Sequence, residues 1–323
     1  MPIYQRGSTG PEVKRIQEGL QDIGHYRGPL DGIYGGGTES AVRSFQRAEE
    51  ILVNGIVGPQ TWRHLFDGED VPPSAILDEA LAYRSLALTG SFETGAPIPD
   101  CFAGLSGDFD DQGISFGALQ WNFGQGSLQP LLKRMAQRHA DVMKEVFDEY
   151  YPELQMVLEA PREEQMAWAR SIQNPNEDVL QEPWRGLFKT LGRREAFQDL
   201  QTKASEQLYD AAVDLAREYE VQSERAVALM FDIKVQNGSI PDTVKAQIMR
   251  EFDQLSEEDG EEARLRIIAN RRAEASRPRW IEDVRTRKLT IATGRGNGPR
   301  TTLQSGGGIW PPTDRSDLAA CCA

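Results

Sequence analysis

Arg6-Gly7-Ser8-Thr9-Gly10-Pro11-Glu12-Val13 opens a pattern that continues through Ile16, Gln17 and Leu20. Val13, Ile16, Gln17 and Leu20 fall at helical spacing. A proline in the first turn suits a helix start, because the N–H it lacks has no intrahelical acceptor there. Gly28-Pro29-Leu30-Asp31-Gly32-Ile33-Tyr34-Gly35 then supplies a dense run of turn formers. A second helix is expected from Thr38, with Ala41, Val42 and Phe45 on one face. After the Asn54-Gly55 turn, Pro59-Gln60-Thr61-Trp62 opens a third short helix that ends near Leu65-Phe66. Three such helices can share one small core, and Gly32, Gly35 and Gly58 allow the tight turns that the arrangement needs. Residues 1–68 therefore read as one unit. The polar, proline-bearing run 69–74, which includes Val71-Pro72-Pro73, reads as a linker.

The quoted run, with Leu30-Asp31-Gly32-Ile33-Tyr34-Gly35, Thr38-x-x-Ala41-Val42-x-x-Phe45-Gln46 and Asn54-Gly55-Ile56-Val57-Gly58-Pro59-x-Thr61-Trp62, resembles the peptidoglycan-binding domain (type 1) in order and spacing. The resemblance implies a three-helix bundle that tethers its carrier to an insoluble polymer and raises local concentration there. It does not single out ligand contacts. On physical grounds Asp31 fits a turn cap better than a glycan contact, and Phe45 and Trp62 fit the core better than sugar platforms.

Beyond the linker, residues 75–292 read as a second, predominantly helical domain. Helical patterns are expected at 76–88, 128–150, 163–172, 177–191, 195–218, 223–236, 241–255 and 261–273, with an irregular Gly/Asp-rich stretch at 89–126. Residues 293–323 turn to Gly, Pro, Thr and Ser and are expected to form a flexible tail. No internal repeat of 20–50 residues is apparent. The fold class is mainly α.

The composition narrows the partners. The 323 residues carry a net charge of −14 and a pI near 4.8. That balance argues against nucleic acid and against anionic membrane surfaces, both of which need a basic face. No run approaches the length of a membrane span, and no secretory signal is visible at the start. The expectation is synthesis in the cytoplasm and action at the cell wall or periplasm after release, as for a phage endolysin or a secreted effector. An immunity protein or delivery machinery is a candidate partner, and a monomer is expected. The cysteines are Cys101, Cys321 and Cys322, and the histidines His25, His64 and His139 are scattered. Neither set has metal-site spacing, so no metal and no cofactor are expected.

The chemistry concentrates in Leu88-Thr89-Gly90-Ser91-Phe92-Glu93-Thr94-Gly95 and in Leu105-Ser106-Gly107-Asp108-Phe109-Asp110-Asp111-Gln112-Gly113-Ile114-Ser115-Phe116-Gly117-Ala118-Leu119-Gln120-Trp121-Asn122. Glu93 closes an apolar helix. Partial burial by Leu88 and Phe92 would raise its pKa as a general acid requires. Three aspartates follow on a glycine-loosened loop, and glycosidic cleavage asks for such a pair, one carboxyl protonated and one ionised.

These residues resemble the lysozyme-like superfamily, and most closely the family 46 chitosanases, over about 40 residues. Asp110-Asp111-Gln112-Gly113-Ile114-Ser115-Phe116-Gly117 lines up with that family's Asp-Gly-Arg-Gly-Tyr-Thr-x-Gly. The alignment implies Asp110 as base and Ser115 as the hydroxyl that holds water, with Asp111, Gln112 and Ile114 departing from the pattern. Asp111 and Asp108 stand as alternates for the base, and Asp108 also fits a loop cap. Gly117-Ala118-Leu119-Gln120 is similar to the Gly-Leu-Met-Gln element of goose-type lysozymes and lytic transglycosylases. Thr94, Gln120, Trp121, Asn122 and Asn237 are candidate substrate contacts, although Trp121 equally fits the core and Asn237-Gly238 equally fits a helix cap. The expected activity is a muramidase cutting β-1,4 bonds of peptidoglycan glycan strands. A chitosanase, a lytic transglycosylase and a non-catalytic wall-binding protein are the alternatives.

Overall fold

Periodic burial sets the first three helices: α1 (Pro11–Asp22), α2 (Gly36–Ala48) and α3 (Pro59–Leu65). Val13, Ile16 and Leu20 of α1 meet Ala41, Val42 and Phe45 of α2 and Trp62 of α3 in a core completed by Tyr4, Tyr34 and Val57. Tyr4 and Val57 pair through two backbone hydrogen bonds, of 2.9 and 2.8 Å, which ties the chain start to the last turn. The computed structural model describes residues 4–6, 8, 10–71, 75–174, 177–256 and 258–294. The expected linker residues 72–74, nearly all of the expected tail (295–323) and Cys321 and Cys322 lie outside the described residues.

Two glutamines with no exposed surface organise the turns. Gln17 donates through Nε2 to Asp31 Oδ1 (2.9 Å), Ile33 O (3.0 Å) and Thr38 Oγ1 (3.2 Å), and its Oε1 accepts from Gly32 N (2.9 Å). Gln46 donates to Asn54 Oδ1 (3.0 Å), Ile56 O (2.9 Å) and Thr61 Oγ1 (3.1 Å), and accepts from Gly55 N (2.8 Å). The second set repeats the first residue type by residue type, with Asn54 in place of Asp31. A short repeat is thus built into the bundle, contrary to the sequence expectation. It escapes notice because only three polar side chains per copy recur, and their equivalence is a matter of hydrogen bonding. Asp31 behaves as a turn cap: its carboxylate accepts from Gln17 and from Ile33 N (2.9 Å), which holds its pKa below the usual range.

The chain as a whole divides into two compact units, one formed by residues 1–84 and 211–323 and the other by 85–210. The 85–210 unit takes in most of α4 (Leu81–Thr94). A small antiparallel sheet follows: β1 (Leu105–Ser106), β2 (Ser115–Phe116) and β3 (Trp121–Asn122). Then come α5 (Leu128–Arg138), α6 (Ala140–Phe147), α7 (Tyr151–Glu159), α8 (Arg162–Ser171), the hairpin β4 (Gln173–Asn174) and β5 (Val179–Leu180), α9 (Trp184–Gly192) and α10 (Glu195–Ala204). A core of Phe116, Phe147, Phe188, Phe197 and surrounding aliphatic residues holds these elements together. Phe116 stacks on Phe197 with ring centroids 5.2 Å apart and meets Phe188 edge-on at 5.3 Å.

The other unit continues with α11 (Glu206–Glu218), α12 (Glu224–Asn237), α13 (Asp242–Phe252), α14 (Gly260–Glu274) and α15 (Ile281–Thr293). Ser223 caps α12 by accepting from Ala226 N (3.1 Å). α15 packs along α14 and α12.

The mainly α class is borne out, but several boundaries differ. The helix expected at 128–150 breaks at His139, whose φ of −136° and ψ of 52° are not helical. The pattern at 177–191 is a hairpin strand followed by a helix, because Pro183 at its centre cannot continue a helix begun before it. The expected helix at 195–218 is two helices that meet at Ser205. α15 had no sequence signal: Ile281, Val284 and Ile291 share a face, but Lys288 interrupts it.

Candidate functional site

Sheet register decides which side chains share a face. Ser106 pairs with Ser115 and Ser115 with Asn122, while Leu105 pairs with Phe116 and Phe116 with Trp121. Directly opposed residues point to the same side. The sheet therefore has an apolar row, Leu105–Phe116–Trp121, which packs on the core. Its other row is polar, Ser106–Ser115–Asn122, and Ser115 and Asn122 in it are buried.

The end of α4 is docked against the loops of this sheet. A Cβ on Gly90 would lie 2.7 Å from Ala118 Cβ, and one on Gly104 would lie 2.2 Å from Thr94 Cγ2. Gly90 and Thr94 are one helical turn apart and both touch the sheet side. Glu93 sits about 60° round the helix from Gly90, on the flank of that contact. Thr94 is committed locally: Oγ1 donates to Gly90 O (2.8 Å) and accepts from Ala96 N (3.2 Å). Glu93 itself is exposed, contrary to the expected partial burial, because it lies past the buried run 84–91 of α4.

A residue that sequence reading missed holds the loops in place. Gln201 of α10 is fully buried. Its Oε1 accepts from Ala118 N (2.8 Å) and its Nε2 donates to Phe102 O (2.9 Å). Gly117, at φ 87°, brings its Cα so close that a Cβ would lie 2.6 Å from Gln201 Oε1. The only sequence signal was a glutamine at a core-facing helical position.

The three aspartates have separate fates. Asp108 is spent on structure: Oδ1 accepts from Gly113 N (2.5 Å) and Oδ2 from Arg170 Nε (2.5 Å), and its side chain is 14% exposed. That bond raises the Arg170 pKa. Asp111 sits at φ 61° with its side chain 95% exposed, and Arg170 Nη2 approaches it only to 3.9 Å. Its left-handed backbone is the conformation for which glycine is favoured, the residue the chitosanase pattern has there. Asp110 is exposed, and its Oδ1 accepts from Gln112 N at 3.3 Å.

The expected sugar contacts are largely engaged in local bonds. Gln120, at φ 53°, accepts from Ser106 Oγ (2.8 Å) and donates to Gly117 O (2.9 Å). Asn122 Oδ1 accepts from Gln125 N (2.7 Å), so it caps the turn after β3. Trp121 packs on the core. Asn237 ends α12 in the other unit, ahead of Gly238 at φ 75°, and its Oδ1 is buried with no hydrogen-bond partner among the described residues.

The unit of 1–84 and 211–323 holds a buried ion cluster that the sequence did not reveal. Asp232 and Lys288 have no exposed surface. Asp232 accepts from Arg287 Nη2 (2.6 Å) and Nε (2.9 Å) and from Lys288 Nζ. Burial alone pushes the Asp232 carboxyl up, but the two cations outweigh it and hold the pKa at about 2. Burial also brings the Lys288 ammonium down to about 8. The usable signal was an acid inside the apolar run of α12 and a lysine at a core position of α15.

Among the described residues, no helix is long and apolar enough to cross a membrane, and no group of three or more His, Cys, Asp or Glu is placed to hold a metal ion. Cys101 is free and buried, and burial raises its pKa.

Residues 9–65 match the family described as "Putative peptidoglycan binding domain", and the three-helix bundle is a domain of that kind. The spore cortex-lytic enzyme of Bacillus subtilis (strain 168) is 47% identical over 60 residues, 18% of this chain and 20% of that protein. The N-acetylmuramoyl-L-alanine amidase CwlM of Mycobacterium tuberculosis is 42% identical over 65 residues, 20% of this chain and 15% of that protein. The chain thus spans about a fifth or less of the length of these relatives. Among solved structures, the Gynuella sunshinyii GH46 chitosanase in complex with chitotetraose aligns with a TM-score of 0.39 at 14% identity, covering 68% of this chain and 87% of that one. The Burkholderia AP3 phage endolysin aligns with a TM-score of 0.20 at 18% identity, covering 72% and 96%.

Proposed function

We propose that the chain is a cell-wall hydrolase, and more narrowly a muramidase. Residues 1–68 bind the wall, 69–74 link, and 75–292 cut β-1,4 bonds of the glycan strand. Glu93 protonates the bridging oxygen. Asp110, aided by Ser115, directs a water at the anomeric carbon. What supports this reading most is the docking of the α4 end, through Gly90 and Thr94, onto the loops of the sheet that carries Ser115. It brings the helix end bearing Glu93 to the three-stranded sheet.

The exposure of Glu93 gives substrate a role. A sugar chain lying over the carboxyl excludes water from the point of proton transfer. Of the three aspartates, Asp108 is neutralised by Arg170, and Asp110 is taken as the base with Asp111 as its alternate.

The test is digestion of purified peptidoglycan with mass spectrometry of the new ends. The wild-type protein is expected to release fragments with reducing muramic ends. Glu93→Gln is expected to lower release by about 100-fold or more, the usual contribution of a general acid, while still sedimenting with the wall. Near-wild-type release by Glu93→Gln overturns the assignment. New 1,6-anhydro ends would make the reaction a transglycosylation.

A further inference from the structure

A cavity of about 340 Å³ opens beside the sheet, within the 85–210 unit. Ser106, the edge residue of the polar row, lines the cavity together with Leu105 of the apolar row, so the cavity abuts the β1 edge of the sheet. One wall is α9, which presents Arg185 and Lys189 four positions apart and hence on one face. The opposite wall is the β4–β5 hairpin with Glu177 and Asp178, and Phe109, 70% exposed, lies at the loop side.

The walls are built close together. A Cβ on Gly107 would lie 1.9 Å from Asp178 O and 2.3 Å from Gln173 Oε1, and Asp108 N donates to Gln173 Oε1 (2.8 Å). The hairpin is therefore fixed against the loop that carries the candidate base. In a chain of net charge −14, the side chains of Arg185 and Lys189 make no ion pair or hydrogen bond among the described residues. With Glu177 and Asp178 in the same cavity, they favour a zwitterionic group there. The apolar side chains of Phe109 and Leu180 suit the carbon chain that carries it.

We propose that this cavity receives the carboxylate-bearing peptide arm of a muramyl sugar while the glycan strand lies beside the sheet edge at Ser106. The inference rests on the reading of this unit as a glycan-cutting domain and names its substrate as peptide-substituted. A polymer of glucosamine offers only ammonium groups, which leave Arg185 and Lys189 unmatched.

The experiment compares the full-length protein with the double variant Arg185→Glu, Lys189→Glu, after circular dichroism has shown that both are folded. Substrates are soluble glycan strands that keep their peptides and the same strands stripped of peptides by an amidase. The expected result is that the wild type prefers peptide-bearing strands, and that the ratio of kcat/KM between the two substrates falls at least tenfold in the variant. An unchanged ratio overturns the proposal. If the wild type cuts neither substrate, the proposed function fails. The cavity is then judged by calorimetric binding of N-acetylmuramyl-L-alanyl-D-isoglutamine: at least tenfold weaker binding to the variant sustains the inference, and equal binding overturns it.

Discussion

Asp232→Asn removes one negative charge from the buried cluster on α12 and α15. The substitution keeps the shape of the side chain but takes the carboxylate charge away from the Lys288 ammonium, which has no exposed surface, and from the Arg287 guanidinium, whose side chain is 11% exposed. The asparagine oxygen still accepts one hydrogen bond, whereas the carboxylate serves Arg287 through two nitrogens and Lys288 as well. Breaking a buried pair by deleting one partner costs about 3–5 kcal/mol, because the remaining charge stays desolvated. Against a typical domain stability of about 5–15 kcal/mol, that is a large share. At about 2–4 °C per kcal/mol for a chain portion of this size, the expected fall in Tm is about 10 °C. Thermal unfolding followed at 222 nm checks it. The acid limb gives an independent reading. Because the folded Asp232 pKa is depressed to about 2, its contribution is fully present above the unfolded value of about 4 and is lost as pH falls from there through 2. The wild type should lose stability over that window more steeply than Asp232→Asn. A variant within about 1 kcal/mol of the wild type at neutral pH, with a parallel acid limb, would refute the picture of a carboxylate that neutralises two buried cations.

Two further outcomes follow from the loops and the bundle. Asp108→Ala should cost about 1–3 kcal/mol by urea denaturation, since it frees Gly113 N and Arg170, whereas the exposed Asp111→Ala should stay within about 0.5 kcal/mol; equal effects would contradict the division of roles among the three aspartates. Gln46→Ala strands Asn54 N and Gly55 N, which both donate to Gln46 Oε1, and should cost about 3 kcal/mol. Its readout is loss of sedimentation with peptidoglycan at a temperature where the wild type still binds.

The sequence by itself determined the helical class and the three-helix bundle. Those features rest on local signals: apolar residues at helical spacing, prolines at Pro11 and Pro59, and turn glycines. Local periodicity also put Glu93 in the last turn of α4. The strands at 105–122 were illegible because each is two residues long, too short for alternation to register. Only tertiary structure divided the aspartates, since the difference between Asp108 and Asp111 is the reach of Arg170, 62 positions from Asp108. It also placed Gln201 beneath the loop at Ala118 and Lys288 opposite Asp232. A polar residue at a core position looks like a break in a helical stripe until its partner, distant in sequence, is in contact with it. Long-range pairing of this kind leaves no periodic trace, which is why α15 and its ion cluster became visible only in the folded chain.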